Sequence, residues 1–294
     1  MKSQKGKIAF QGAAGAYSDL ACRHVYPGRE TLPCASFEDA FRAVRDKKAE
    51  LAMIPVDNTL AGRVADVHHL IPQGGLYIIG EHFEPIRHAL LGVKGAKIAD
   101  IKYVHSHVHA IPQCKKIIKE LKLKASAQGD TAGSAREVAR RGDREYAAIA
   151  STLAGQIYGL DVLRDNIQDE DHNTTRFLIL SRQHVIPPYK KGTSNNVLTS
   201  VLFRVRNIPA ALYKALGGFA TNGLSLAKLE SYVDPKFQAA QFYCEIEGHP
   251  ESRALKLALE EMSFFADHAQ VLGTFPMHPF RLKKHSTAPK KKRR

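Results

Sequence analysis

Short apolar runs alternating with helical stretches constrain this chain more than any other feature. KIAFQ (7–11) reads as a strand followed by a glycine-containing turn and a helix, and LAMIPV (51–56) and YAAIA (146–150) read as further strands. Ser36, followed by Phe37, Glu38, Asp39 and Ala40, reads as the cap of a helix N-terminus. The alternation predicts an α/β fold in which helices cover a largely parallel sheet and ligands gather at the carboxyl ends of the strands. It stops at HVIPPYKKGTSNN (184–196), whose Pro, Lys, Gly, Ser and Asn mark a linker. Beyond it the order is strand 199–205, helix 210–219, strand 224–232, strand 241–247, helix 251–264 and strand 270–275. That is the β-α-β-β-α-β arrangement of a ferredoxin-like module. Pro250 precedes its second helix, where a missing amide donor matters little, and Gly223 suits a left-handed cap after the first.

At 294 residues and 44% hydrophobic content the chain can bury a substantial core, and its length suggests about two domains. No apolar run approaches the roughly 20 residues that span a bilayer, and MKSQKGKIAFQG lacks the apolar segment of a signal peptide. Cys22, Cys34, Cys114 and Cys244 are scattered without a CxxC pair, which suits reduced thiols in a cytoplasm. The net charge is +14, but RLKKHSTAPKKKRR (281–294) holds eight Lys/Arg and no acid, so fourteen less eight leaves +6 for the body. A moderately basic body suits an anionic small molecule. The tail admits a solvated, disordered end, a weak nucleic-acid patch or an anion-responsive arm; the first is favoured, since no aromatic-interleaved or groove-reading motif accompanies it.

Polar clusters fall at the junctions. In QGAAGAYS (11–18) small residues let backbone amides approach a ligand at a helix start; there is neither GxGxxG nor a Walker lysine. A carboxylate cradle and a plain tight turn both fit. In IPVDNTLAGRV (54–64) Asp57 accepts, Asn58 donates and accepts, and Thr59 donates, with a helix cap as the competing reading. In HSHVHAIPQC (105–114) histidines 105, 107 and 109 would share a strand face, as in a metal site. The run ends in a helix start without a further ligand at the right spacing. No metal is expected there, and Ser106 and Gln113 read as neutral groups facing a cleft. In GDTAGSAREVA (129–139) Asp130 and Thr131 cap a helix whose first-turn amides again suit an anion. Finally, DEDHNTTRFLIL (169–180) sets Thr174, Thr175 and Arg176 at the mouth of a buried strand, Phe177 to Leu180. They are either a strand start with a paired arginine or catalytic groups.

In this order these stretches, with YGL before NIQDEDHNTTRF, then NVLTSVLFRVRNIPAALYKALGGFATNG and LAKLESYV, resemble the prephenate dehydratase family over about residues 6–280. The resemblance implies a two-lobed, periplasmic-binding-protein-like catalytic domain at 1–185, a linker at 186–196, an ACT regulatory domain at 197–280 and the tail at 281–294. It implies homodimers or homotetramers, feedback inhibition by L-phenylalanine, and conversion of prephenate to phenylpyruvate, water and carbon dioxide without cofactor or metal. Thr175 matches the threonine of the family's Thr-Arg-Phe motif and would donate a hydrogen bond to the departing oxygen. Arg176 would grip a carboxylate through two parallel donors, while Asn58, Ser106 and Gln113 orient the substrate. Ala13, Ala14, Gly15, Ala16, Tyr17, Ser18, Asp57, Thr59, Thr131, Ala132, Gly133, Thr174 and Phe177 would line the substrate site. Phenylalanine would bind at Asn207, Ile208, Pro209, Ala210, Ala211, Leu212, Glu230 and Ser231. Three motifs depart from the family. Asp57-Asn58 replaces Glu-Asn, Ala210-Ala211-Leu212-Tyr213 lacks the glycine of the GALV-type loop, and Glu230-Ser231-Tyr232-Val233 lacks the Arg-Pro of the ESRP-type motif. Two readings compete: the same chemistry on arogenate, and a non-catalytic protein that senses amino acids.

Overall fold

A computed structural model of the protein describes residues 6–191, 196–233 and 239–284. Residues 192–195 of the expected linker 186–196, and 285–294 of the expected tail 281–294, lie outside the described residues. Chain contacts separate two compact units, Met1–Leu70 with His82–Leu178, and Ile71–Glu81 with Ile179–Arg294.

The chain opens with β1 (Lys7–Gln11), α1 (Tyr17–Val25), β2 (Glu30–Cys34), α2 (Phe37–Arg45), β3 (Leu51–Asn58), β4 (Gly62–Arg63), α3 (Ala65–Gln73) and β5 (Tyr77–Pro85). It continues with β6 (Ala89–Gly92), β7 (Tyr103–His107), α4 (Lys115–Glu120), β8 (Lys124–Gln128), α5 (Thr131–Arg141), β9 (Tyr146–Ala150), α6 (Thr152–Tyr158), β10 (Asp161–Arg164) and β11 (Thr174–Ser181). These strands form two sheets. One has the order β2-β1-β3-β11-β5, with β4 added to β3; the other runs β10-β6-β9-β7-β8. Ser36 caps α2 as the sequence predicts, accepting from the Asp39 amide at 3.1 Å. Asp130 likewise caps α5, accepting from the Gly133 amide.

The sheets are mixed, which corrects the largely parallel expectation. β1 pairs in parallel with β2 and β3, and β7 with β8 and β9, but β6 runs antiparallel to both β9 and β10. Local composition does not choose between the two: β6 and β9 are near-continuous apolar runs, ALLG and YAAIA, that are buried in either direction of pairing. Both pack into clusters of buried aliphatic side chains, Leu90 and Ile149 on one face, Leu91 and Ala148 on the other.

The second unit holds β12 (Val197–Val205), α7 (Ala211–Thr221), β13 (Leu226–Val233), β14 (Ala239–Glu247), α8 (Arg253–Ser263), β15 (Ala266–Pro276) and α9 (Pro279–Lys284). Its antiparallel sheet has the order β13-β14-β12-β15, the arrangement of a ferredoxin-like βαββαβ module. Phe203, Phe219, Phe242, Leu255 and Met262 fill its core. The second helix begins later than the sequence suggests, at Arg253, because Ser252 takes the cap and accepts from the Leu255 amide. Gly273 admits no side chain at all: a Cβ there would lie 2.0 Å from the Ile78 carbonyl oxygen.

One expectation needs correction. The tail is not solvated from its start: α9 includes Arg281, whose guanidinium donates to Glu81 at 2.8 Å, a carboxylate buried at its side chain. Part of the linker is also held in place, since the His249 ring meets the Pro187 carbonyl at 2.8 Å and lies 5.1 Å from the Tyr189 ring. Among the described residues no helix is long and apolar enough to cross a membrane.

Candidate active site

The first unit contains a cavity of about 280 Å³. Tyr17 and Ser18 reach it from the start of α1, Asn58 from the end of β3, and Thr131 from the start of α5. Asn173, Thr175 and Phe177 reach it from β11 and the residue before it, His107 from the end of β7, and His109 and Gln113 from the segment after it. His88, just ahead of β6, completes the wall that matters chemically. These positions are strand ends and helix starts, where backbone groups lack partners within their own element.

A chain of hydrogen bonds crosses this wall, and its direction can be read. Asn58 Oδ1 accepts from the amides of Leu60 and Ala61 at 2.9 and 2.8 Å, which fixes the orientation of its amide. Asn58 Nδ2 therefore donates, to Asn173 Oδ1 at 2.8 Å and to Thr175 Oγ1 at 2.9 Å. Asn173 Nδ2 donates in turn to Gln113 Oε1 at 2.6 Å, and His88 Nε2 lies 3.1 Å from the same oxygen. Burial lowers the His88 pKa, against a smaller opposing effect of the Gln113 bond, so the neutral ring is favoured. His88 Nδ1 lies 2.7 Å from the Tyr17 hydroxyl, which in turn donates to the Arg87 carbonyl at 2.7 Å. The consequence falls on Thr175. Its oxygen already accepts a hydrogen bond from Asn58, so its own O–H is available to donate into the cavity.

Hydrogen-bonding capacity comes from amides and rings. The first-turn amides of α1 and α5 have no intrahelical acceptor, and both helix starts contribute to the cavity wall. α1 has no side-chain cap at Ala16. His107 and His109 stand with ring centroids 5.1 Å apart. Burial first, then the neighbouring His109, lowers the His107 pKa, while Asp130 opposes.

Several expected residues are placed elsewhere. Arg176 is buried and its guanidinium lies 3.6 Å from Asp57, on the face of β11 opposite Thr175 and Phe177. It is not among the residues that line the cavity, and Asp57 is its ion-pair partner. Ser106 is fully buried and donates to the Ile149 carbonyl at 2.6 Å, joining β7 to β9 instead of facing the cavity. Thr59 and Thr174 extend the sheet: the Thr59 hydroxyl accepts from the Thr174 amide and donates to the His172 carbonyl.

The QGAAGAYS stretch splits. Tyr17 and Ser18 line the cavity, whereas Ala13, Ala14, Gly15 and Ala16 form the turn that seats α1. The carbonyls of Ala14 and Gly15 accept from Tyr158 and Ser151 at 2.8 and 2.6 Å. Gly15 has φ +87° and a Cβ there would stand 2.7 Å from the Ala154 Cα, so only glycine fits. Ala132 is buried in the core and Gly133 serves the Asp130 cap, leaving Thr131 alone of that trio on the cavity. His105 turns to Tyr146 at 5.4 Å and does not join His107 and His109 on the cavity. In the second unit, Asn207, Ile208, Pro209 and Ala210 are exposed and precede α7, Ala211 and Leu212 begin it, and Glu230 and Ser231 lie on β13.

Two central residues escaped the sequence reading. Asn173 adjoins the Thr174-Thr175 pair and could have been found as the one amide side chain beside it. His88 carries no motif at all; only the fold brings it to Gln113.

The prephenate dehydratase family pattern matches residues 8–185. A bifunctional N-acyl-homoserine lactone acylase/prephenate dehydratase of Komagataeibacter europaeus is 50% identical over 94% of this chain and 98% of its own. Arogenate dehydratase 2 of Petunia hybrida is 37% identical over 92% of this chain and 71% of its own. Among solved structures, a prephenate dehydratase from Arthrobacter aurescens in complex with L-Phe superposes with a TM-score of 0.82, at 27% identity, over 92% of this chain and 90% of that one.

Proposed function

This chain belongs to the prephenate dehydratase family, and from that we propose that its cavity converts prephenate to phenylpyruvate. The observation that carries the reading is the Asn58–Thr175 bond, which leaves a threonine proton free to be donated at a cavity wall. Prephenate holds two carboxylates. The one on the ring leaves as CO₂, and its bonding electrons enter the ring and expel the 4-hydroxyl. One proton must reach that oxygen for water to depart, and aromatisation drives the step. The Thr175 hydroxyl donates to the leaving oxygen, lowering the barrier where negative charge develops. The carboxylates are received by the first-turn amides of α1 and α5 and by Gln113, with Phe177 against the ring. Neutral His88 and Tyr17 hold Gln113 and Asn173 in register without adding a charge that would compete for the substrate.

Phenylalanine acts as effector at 207–212 with Glu230 and Ser231, in an ACT-type module that associates with a second copy. The L-Phe complex of the Arthrobacter relative supports this. Ultraviolet detection of phenylpyruvate from prephenate, with and without phenylalanine, tests both parts; absence of turnover by the full chain defeats the reading. The Petunia relative favours comparing arogenate, which carries an amino group in place of the keto group, in the same assay. The Komagataeibacter relative's name supports a second reading, acyl-amide hydrolysis, tested by release of free homoserine lactone from an N-acyl derivative.

A further inference from the structure

Away from the Thr175 cavity, the first unit has a second cavity of about 370 Å³, on which His24, His82 and Glu84 converge. His24 comes from the last turn of α1, and His82 and Glu84 from one face of β5, two residues apart as strand alternation requires. His24 Nδ1 and His82 Nε2 lie 2.8 and 2.9 Å from the same oxygen, Glu84 Oε2. All three candidate ligand atoms fall within 4.8 Å of one another.

The carboxylate is the unusual partner. Glu84 is 3% exposed, and its ion-pair partners among the described residues are these two imidazoles. Arg87 lines the same cavity but is not among those partners, and a buried carboxylate held only by imidazoles carries a high electrostatic cost unless further positive charge reaches it. Two imidazoles and a carboxylate are a donor set for borderline divalent ions, as in tetrahedral sites that keep one position open. A tetrahedral ion with bonds of about 2.1 Å spaces its ligand atoms about 3.4 Å apart, so modest movement of three atoms already in contact would seat it. His24 can supply that movement, because its side chain is 54% exposed, whereas Glu84 and His82 are held at 4% and 14%. The fourth position would open on the cavity, whose wall includes Ser151, Thr152 and Asp165.

We propose that His24, His82 and Glu84 form a binding site for a divalent transition-metal ion of the zinc class, separate from the Thr175 cavity. The site does not depend on the dehydratase reading, and its test does not use dehydratase activity.

The full chain, freed of metal by a chelator, is titrated with Zn²⁺ by calorimetry and with Co²⁺ by visible absorption. The expected result is one tight equivalent per chain, with the intense absorption of four-coordinate Co²⁺. Glu84→Gln keeps the shape but removes the anionic ligand, and should weaken that equivalent by about 100-fold or more. His24→Ala, at a half-exposed position that folding does not need, should do the same if Glu84→Gln fails to fold. His268→Ala, at an exposed position of β15, leaves the equivalent intact and accounts for adventitious surface binding. Absence of a stoichiometric equivalent, or equal binding by the wild type and the His24→Ala variant, overturns the proposal.

Discussion

The Asn58 side chain donates to the Thr175 hydroxyl at 2.9 Å, and the amides of Leu60 and Ala61 hold Asn58 in the orientation that makes it the donor. Thr175 thus keeps its proton for a bound molecule. Thr175→Ala should lower kcat by a factor on the order of 100 or more with a small change in KM, the behaviour of a donor used in the transition state. Thr175→Ser keeps the hydroxyl and should retain much of the rate. Steady-state assays of phenylpyruvate formation check this, and near-normal turnover of the alanine variant removes Thr175 from the chemistry.

Arg176 faces away from the cavity and lies 3.6 Å from Asp57. Arg176→Lys should therefore act on the fold more than on substrate capture, lowering stability by about 1–3 kcal/mol, since lysine cannot reproduce the guanidinium's geometry in a buried pair. Denaturant unfolding reads the loss. A stable variant with strongly raised KM would instead return the arginine to the substrate.

Ala210 occupies a left-handed conformation, φ 56° and ψ 28°, at the residue that precedes α7. A Cβ in that region costs roughly 1 kcal/mol relative to glycine. Ala210→Gly should raise the stability of the second unit by about that amount, visible as a higher thermal midpoint. An unchanged or lower midpoint contradicts the strain.

Gly15 is the opposite case. Gly15→Ala puts a methyl group against the Ala154 backbone at a positive φ, so it should destabilise by about 2 kcal/mol or more and displace the start of α1. Combined loss of stability and of turnover is expected. Wild-type values for both would show that the turn relaxes freely.

His88 supplies a pH dependence. Its folded pKa lies below the ordinary value of 6.5, so between the two values the unfolded chain binds more protons than the folded one. The sign follows: its contribution is complete above about pH 6.5 and is lost as the pH falls toward the folded value. His88→Gln should flatten the stability–pH curve below pH 6.5 and leave it unchanged above. An equal slope in both proteins would assign the acid sensitivity to other groups.

Much of this was legible in the chain. The β1 and β9 boundaries, the Ser36 and Asp130 caps and the βαββαβ order follow from short-range periodicity and capping chemistry, which act within a few residues. Period-two alternation even contained the placement of Arg176. Once 174–180 is a strand, adjacent Thr175 and Arg176 must face opposite ways, and a single cavity can take only one of them. Ser106 was misjudged for the same reason, since His107 faces the cavity and its neighbour turns into the core.

By itself the sequence determined which segments become strands and helices, which residues cap them, and which polar groups stand at strand ends. Those choices depend on neighbours a few positions apart. Tertiary structure alone decided that Asn173 and His88 meet Gln113, that His24 reaches Glu84 across 60 residues, and that β6 runs antiparallel. Each of these is a side-chain or strand pairing closed through a long loop. Such a pairing forms only after the sheets have packed, and no local pattern in the chain encodes it.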